Sequence, residues 1–308
     1  MSSQGEMAGQ LSLQCGAMSM TLSSQGGACT ALRWHAAGSE AVDLLHPRSL
    51  ASQEPFEQPS FPLVPYSNRL FAGQLLTPEG ALTLPCNHPR HPIPIHGLGW
   101  RANWSTRQLN AHSAEQQHQH AEDAHWPFAY DCTQHVSLSE HGANFELSLH
   151  NLSDRPMPAG LGFHPWFAID EDSTVCFAAD AVWMQNEQGL PTKALPAGSA
   201  PEFEFSSPRL AMEIVQDHCH AGWTGPVCIT HPSRQMAISV TASDELQHLM
   251  VYRKLGQPWL CLEPVSHATG ALSLPGLNTP ASGARLLAPG ERWTVWMNLR
   301  VMPLQTSS

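Results

Sequence analysis

The stretch Trp293-Thr294-Val295-Trp296-Met297-Asn298-Leu299-Arg300-Val301 decides the fold class, because Trp293, Val295, Met297, Leu299 and Val301 recur at every second position. Successive side chains of a strand leave opposite faces of a sheet, so these five share one face of a half-buried β-strand. Just upstream, Leu287-Ala288-Pro289-Gly290-Glu291 reads as the turn that feeds it. The same period returns in Met236-Ala237-Ile238-Ser239-Val240. Met18 to Leu22 and Cys29 to Trp34 flank Gly26-Gly27, a hairpin signal because glycine accepts the positive φ of tight turns. Val136 to Leu138 and Phe145 to Leu149 flank His141-Gly142 in the same way. No long stretch carries the 3.6-residue period of an amphipathic helix. With 26 prolines and 22 glycines marking short connections, the chain reads as all-β, a large antiparallel two-layer structure.

The 308 residues fit one large domain, since all-β sandwiches commonly exceed 200 residues as one unit, with disorder expected only at about residues 1–8 and 304–308. A formal net charge of -11 with 15 Lys and Arg, and no basic cluster, gives nothing to neutralise a phosphate backbone, so nucleic acid is excluded as a partner. A neutral small molecule fits this balance better than an anion. There is no run of about 18 apolar residues to span a membrane. The first residues, Met1 to Glu6, lack the basic and apolar parts of a secretory signal, so a cytoplasmic location is expected. Eight cysteines without a C-x-x-C pair suit reduced, mostly buried thiols. Monomer and homodimer are both compatible with this composition.

Three islands carry chemistry. Gly162-Phe163-His164-Pro165-Trp166-Phe167 pins one imidazole among a Gly, a Pro and aromatic rings; Pro165 restricts the backbone of His164 to an extended form, which fixes where its ring points. Asn68-Arg69 and His96-Gly97 precede it, and Glu263-Pro264 follows. Glu263 ends the apolar run Trp259-Leu260-Cys261-Leu262, which reads as a buried strand, with Pro264 expected to stop its pairing. Desolvation there raises a carboxyl toward useful basicity. Each of these has a plain structural reading too: a packed histidine between Phe163 and Trp166, a surface pair for Arg69, a strand-end glutamate held by hydrogen bonds.

The order and spacing of the islands resemble the aldose 1-epimerase (galactose mutarotase) family. The segment 162–167 resembles its Gly-x-His-Pro-aromatic-Phe element, Pro65-Tyr66-Ser67-Asn68-Arg69 its Pro-x-x-Asn-Arg element, and Ile95-His96-Gly97 its His-Gly element. The likeness extends from about Pro65 to Val301. It implies a large antiparallel β-sandwich with an open sugar cleft and cofactor-free interconversion of α and β anomers. In that picture His164 protonates the ring oxygen, kept charged by nearby carboxylates such as Glu263, and Glu263 takes the proton of the C1 hydroxyl from the opposite edge of the sugar. Arg69, His96, Asn68 and Trp166 bind the sugar, and Arg69 helps orient Glu263. Asp217 falls where the family places a sugar-binding carboxylate, although His220 stands where an apolar aromatic is expected, and a turn-forming Asp fits as well. Trp100 is either a platform for the sugar's C–H face or core.

Two other readings, one an enzyme and one not, are weighed. A hexose 6-phosphate site would gather additional cations, for which Arg69, Arg101 and Arg107 are the candidates. A carbohydrate-binding protein without turnover would need neither half of the acid–base pair. No metal site is expected: Asp217-His218-Cys219-His220 and His118-Gln119-His120 contain ligand types without zinc-site spacing, and the polar stretch from Gln108 to Ala124 reads as an exposed loop or hairpin tip. No Gly-x-Gly-x-x-Gly, P-loop or Gly-x-Ser-x-Gly element supports a nucleotide cofactor or serine hydrolysis.

Overall fold

The computed structural model describes residues 9–35, 40–47, 55–187, 189–275 and 282–304. The expected disordered ends lie outside these residues, except for Leu304, whose N–H donates to the Gln235 carbonyl at 2.9 Å. Among the described residues the helices are three-residue 3₁₀ turns, and none is long and apolar enough to cross a membrane.

Two large antiparallel sheets build the molecule, as the sequence pattern predicts. The first has nine strands, in the order Arg209–Leu210, Thr174–Ala178, Thr224–His231, Met236–Ala242, Arg292–Pro303, Gly142–Asn151, Tyr130–Ser139, Ser113–His120 and Ser105–Asn110. Arg292–Pro303 sits at its centre, and Trp293, Val295, Met297, Leu299 and Val301 are each at most 4% exposed. Burying such a side chain stabilises by about 1.5–3 kcal/mol. The second sheet runs Pro191–Pro196, Ala181–Gln185, Gln216–Ala221, His248–Arg253, Trp259–Val265, Gly162–Phe163 and Pro62–Leu63, with Trp166–Ala168 also pairing with Trp259–Val265. Leu147 and Val295 of the first sheet and Leu249, Leu260 and Leu262 of the second belong to one continuous apolar core between the two layers, the β-sandwich arrangement.

Two expectations are corrected, and one open alternative is decided. The segment from Gln108 to Ala124 is not only a loop: Ser113–His120 is an edge-proximal strand whose inner face buries Gln116 and His118. Those polar groups tolerate burial because each is bonded, Gln116 Nε2 donating to the Ser23 carbonyl and His118 Nε2 lying 3.2 Å from the Tyr130 hydroxyl. Pro264 does not end pairing; Val265 still lies opposite both His248 and Gly162, so one missing donor leaves the ladder intact. Trp100 is core: it is 3% exposed, stacks on Phe56 at 4.3 Å and donates its indole N–H to the Gly97 carbonyl. The eight cysteines are all free, four of them buried.

Candidate active site

Period-2 alternation in the second sheet sorts its residues into two faces. Cross-strand registers place Asp217 opposite Tyr252, Tyr252 opposite Cys261, Cys219 opposite Met250, and Met250 opposite Glu263, so these side chains form one patch. Their neighbours Leu249, Val251, Leu260 and Leu262 point into the core. The same alternation splits Asp217-His218-Cys219-His220. His220 faces inward and packs edge-on against Phe177 and Phe205, occupying the place of the expected aromatic. Its metal-ligand look therefore dissolves on folding.

Over the patch lies a cavity of about 150 Å³. The sheet contributes Asp217, Met250, Tyr252 and Glu263 to its walls; His164 and Trp166 close one side, and Asn68, Arg69 and His96 another. His164, Glu263, Arg69, His96, Asp217, Asn68 and Trp166 thus all line one cavity. Phe56, His91, Ile95, Met250 and Tyr252 line it as well and escaped the sequence reading. Phe56 and His91 sit in connections with no periodic signal. Met250 and Tyr252 alternate along a strand, but their facing Glu263 and Cys261 is a matter of register, which the sequence does not print.

His164 Nε2 lies 3.3 Å from Glu263 Oε1. The imidazole is stacked between Phe61, at 4.7 Å, and Trp166, at 5.8 Å. Phe61 replaces Phe163 in this role because alternation sends Phe163 into the core. The His164 N–H donates to the Phe61 carbonyl, anchoring the segment before Pro165. Although the contact is at ion-pair distance, burial acts on both partners toward neutrality. It pushes the His164 imidazole down to about 3 and holds the Glu263 carboxyl well above the usual carboxylate range, an effect that Asp217 adds to and Arg69 opposes. Burial thus favours the neutral form of each group, against the expectation of an imidazolium kept charged by Glu263. The two groups are also adjacent rather than on opposite edges of a bound ring. Adjacency suffices for ring opening, since the hydroxyl and ring oxygens are both bonded to C1.

The other wall is built by strained backbone. Asn68 and His96 adopt positive φ, at 56° and 57°, where non-glycine residues are uncommon. They hold one another: the His96 N–H donates to the Asn68 carbonyl at 2.9 Å, and the Asn68 N–H donates to His96 Nδ1 at 3.1 Å. The second bond leaves the His96 proton on Nε2, and burial, with the neighbouring His164 and Arg69, keeps this ring neutral. Gly97 also has positive φ, and a Cβ there would lie 2.1 Å from the Val64 carbonyl oxygen. Asn87, unremarked in the sequence, fixes the turn by donating to the Ile95 and Gly97 carbonyls and accepting the Ile95 N–H.

Arg69 reaches across to Asp217, NH2 to Oδ2 at 3.2 Å, and its backbone N–H donates to Asn68 Oδ1 at 2.9 Å. It bonds Asp217 rather than Glu263, which it influences through its charge. Arg69 is the one Arg or Lys among the described lining residues. Arg101 donates to the Asn87 carbonyl and Arg107 pairs with Glu115 on an outer strand, so neither joins the cavity. Among the described residues, His164, Cys261 and Glu263 bring one donor atom each within 4.8 Å, whereas His118 and His120 are engaged by Tyr130 and the Trp126 carbonyl.

Comparison with known proteins gives the family and the fold. The profile of the family described as aldose 1-epimerase matches residues 9–300. The uncharacterised Escherichia coli (strain K12) protein YphB is 26% identical over 300 residues, covering 94% of this chain and 97% of its own. Among solved structures, a candidate aldose 1-epimerase of Escherichia coli K12 superposes with a TM-score of 0.85 at 25% identity, over 96% of this chain and all of its own. A galactose mutarotase-like protein of Clostridium acetobutylicum, at 18% identity and covering 96% and 95% of the two chains, gives 0.82 and attests the fold.

Proposed function

The chain belongs to the aldose 1-epimerase family, and on that premise we propose that, as a single domain, it interconverts the α and β anomers of a free, neutral aldose without a cofactor. The observation that carries this reading is the 3.3 Å contact between His164 Nε2 and Glu263 Oε1 on the wall of a ring-sized cavity. Ring opening needs a proton delivered to the ring oxygen and another removed from the C1 hydroxyl, and each positioned group contributes about 10²–10⁴-fold.

One proton passes from Glu263 to His164 Nε2 as the sugar binds. The imidazolium then protonates the ring oxygen while the Glu263 carboxylate takes the C1 hydroxyl proton; the bond from C1 to the ring oxygen breaks and C1 becomes a carbonyl. Rotation about C1–C2 exposes the other face, and reversing both transfers closes the ring. The ring-open complex has the proton arrangement of the empty site, neutral imidazole and carboxylic acid, so the same burial that sets the resting state stabilises the intermediate. Arg69, His96 and Asn68 offer donors to the sugar oxygens, Asp217 accepts from hydroxyls, and Trp166 meets a C–H face. A neutral sugar is favoured because Arg69 is already matched by Asp217.

Exchange of anomers followed by NMR across free and phosphorylated aldoses tests this. Acceleration for at least one free aldose, larger than for its 6-phosphate, is expected. Acceleration of none would remove the proposed activity.

A further inference from the structure

The cavity above His164 and Glu263 has a neighbour. Trp166 and Tyr252 line it and also line a second cavity of about 340 Å³, within the range of about 300–1,000 Å³ that ligand pockets occupy. Between them lies Trp259, 4.3 Å from Trp166 and 5.6 Å from Tyr252 by ring centres, so three aromatic rings form a continuous arc. Trp259 is held in place by donating its indole N–H to Gln257 Oε1 at 3.1 Å. Around the arc stand Glu57, Lys254 and Gln257, a carboxylate, an ammonium and an amide within reach of the same space.

This combination has a chemical meaning. Aromatic faces meet the apolar C–H faces of pyranose rings, and short-range polar groups around them meet the equatorial hydroxyls. Among the described lining residues one Lys and one Glu balance each other, which suits an uncharged ring. The first cavity, at about 150 Å³, has room for a single ring, and the second adjoins it at Trp166 and Tyr252, where a further ring attached to the first can lie.

We propose that the second cavity is a sugar-binding subsite, and that the substrate is the reducing-end residue of a disaccharide or longer saccharide whose next ring lies against Trp166, Tyr252 and Trp259. This rests on the anomer-exchange reading of the first cavity and narrows its substrate class.

The test uses reducing disaccharides of 1→2, 1→3, 1→4 and 1→6 linkage beside their monosaccharides, with the whole protein. Two readouts are taken: KM for anomer exchange, and saturation-transfer NMR, which reports the bound rings without requiring turnover. For at least one linkage, KM about five- to tenfold below that of the monosaccharide and saturation on both rings are expected, a size consistent with one good aromatic contact. In the double variant Lys254→Ala, Gln257→Ala that advantage should shrink while monosaccharide kinetics hold. Saturation confined to the reducing ring, with no disaccharide gaining in KM, would overturn the subsite. Monosaccharide turnover with that result would leave the activity standing without the subsite, and both rings saturated without any turnover would leave the subsite standing without the activity.

Discussion

The nine-stranded sheet and the wall of the cavity solve opposite problems. In the sheet, Arg292–Pro303 follows one rule, with Trp293, Val295, Met297, Leu299 and Val301 buried inward and the residues between them turned outward, so each residue's place follows from its parity. In the cavity wall the rule is broken wherever chemistry is required: Asn68 and His96 take left-handed backbone, Gly97 presses against the Val64 carbonyl, and His164 and Glu263 are ionisable yet at most 5% exposed. Strain and buried polar groups of this kind each cost on the order of 1–3 kcal/mol or more, and they persist only where surrounding structure over-determines them. The regular sheet supplies that determination, and the irregular wall supplies the function.

Substitutions on either side should separate the two. The largest effect belongs to His164→Asn, which keeps the shape of the wall but cannot relay a proton; anomer exchange should fall by about 10²–10⁴-fold with the denaturation midpoint nearly unchanged. Leu299→Ala, in the regular sheet, should do the reverse, lowering unfolding free energy by about 2–5 kcal/mol in urea titrations while the folded fraction keeps its turnover. If Leu299→Ala instead altered KM, the two regions would not be separable. Gly97→Ala lies between them: positive φ and the contact with Val64 should cost about 1–3 kcal/mol and raise KM, because the displaced turn carries His96.

A further effect is one of pH. Burial pushes His164 and His220 down to about 3 and His118, His248 and His267 to about 4, so below their ordinary 6.5 the unfolded chain binds protons that the folded chain refuses. Stability should be complete above about pH 6.5 and decline progressively as pH falls toward 4. Glu263, raised by burial, opposes this trend, but one group does not offset five. A melting temperature at pH 5 equal to that at pH 7.5 would contradict the neutral burial of these rings.

How much of this was legible in the sequence follows the same division. Strand identity, the inward face of Trp293 to Val301, and the hairpins at Gly26-Gly27 and His141-Gly142 follow from period 2 and from glycine. The site residues were legible only as motif islands, since nothing in a string says that Arg69 and Asp217 come to lie 3.2 Å apart. Register hid Met250 and Tyr252, the two strand residues that complete the floor. The sequence shows a carboxylate and an imidazole, and only the fold shows the burial that drives both toward their neutral forms.

The most direct test of the central claim is anomer exchange by Glu263→Gln beside the parent protein, with sugar binding measured in the same samples. The account predicts that exchange collapses while binding changes by no more than a few-fold. Parental exchange rates in that variant would contradict it and take Glu263 out of the mechanism.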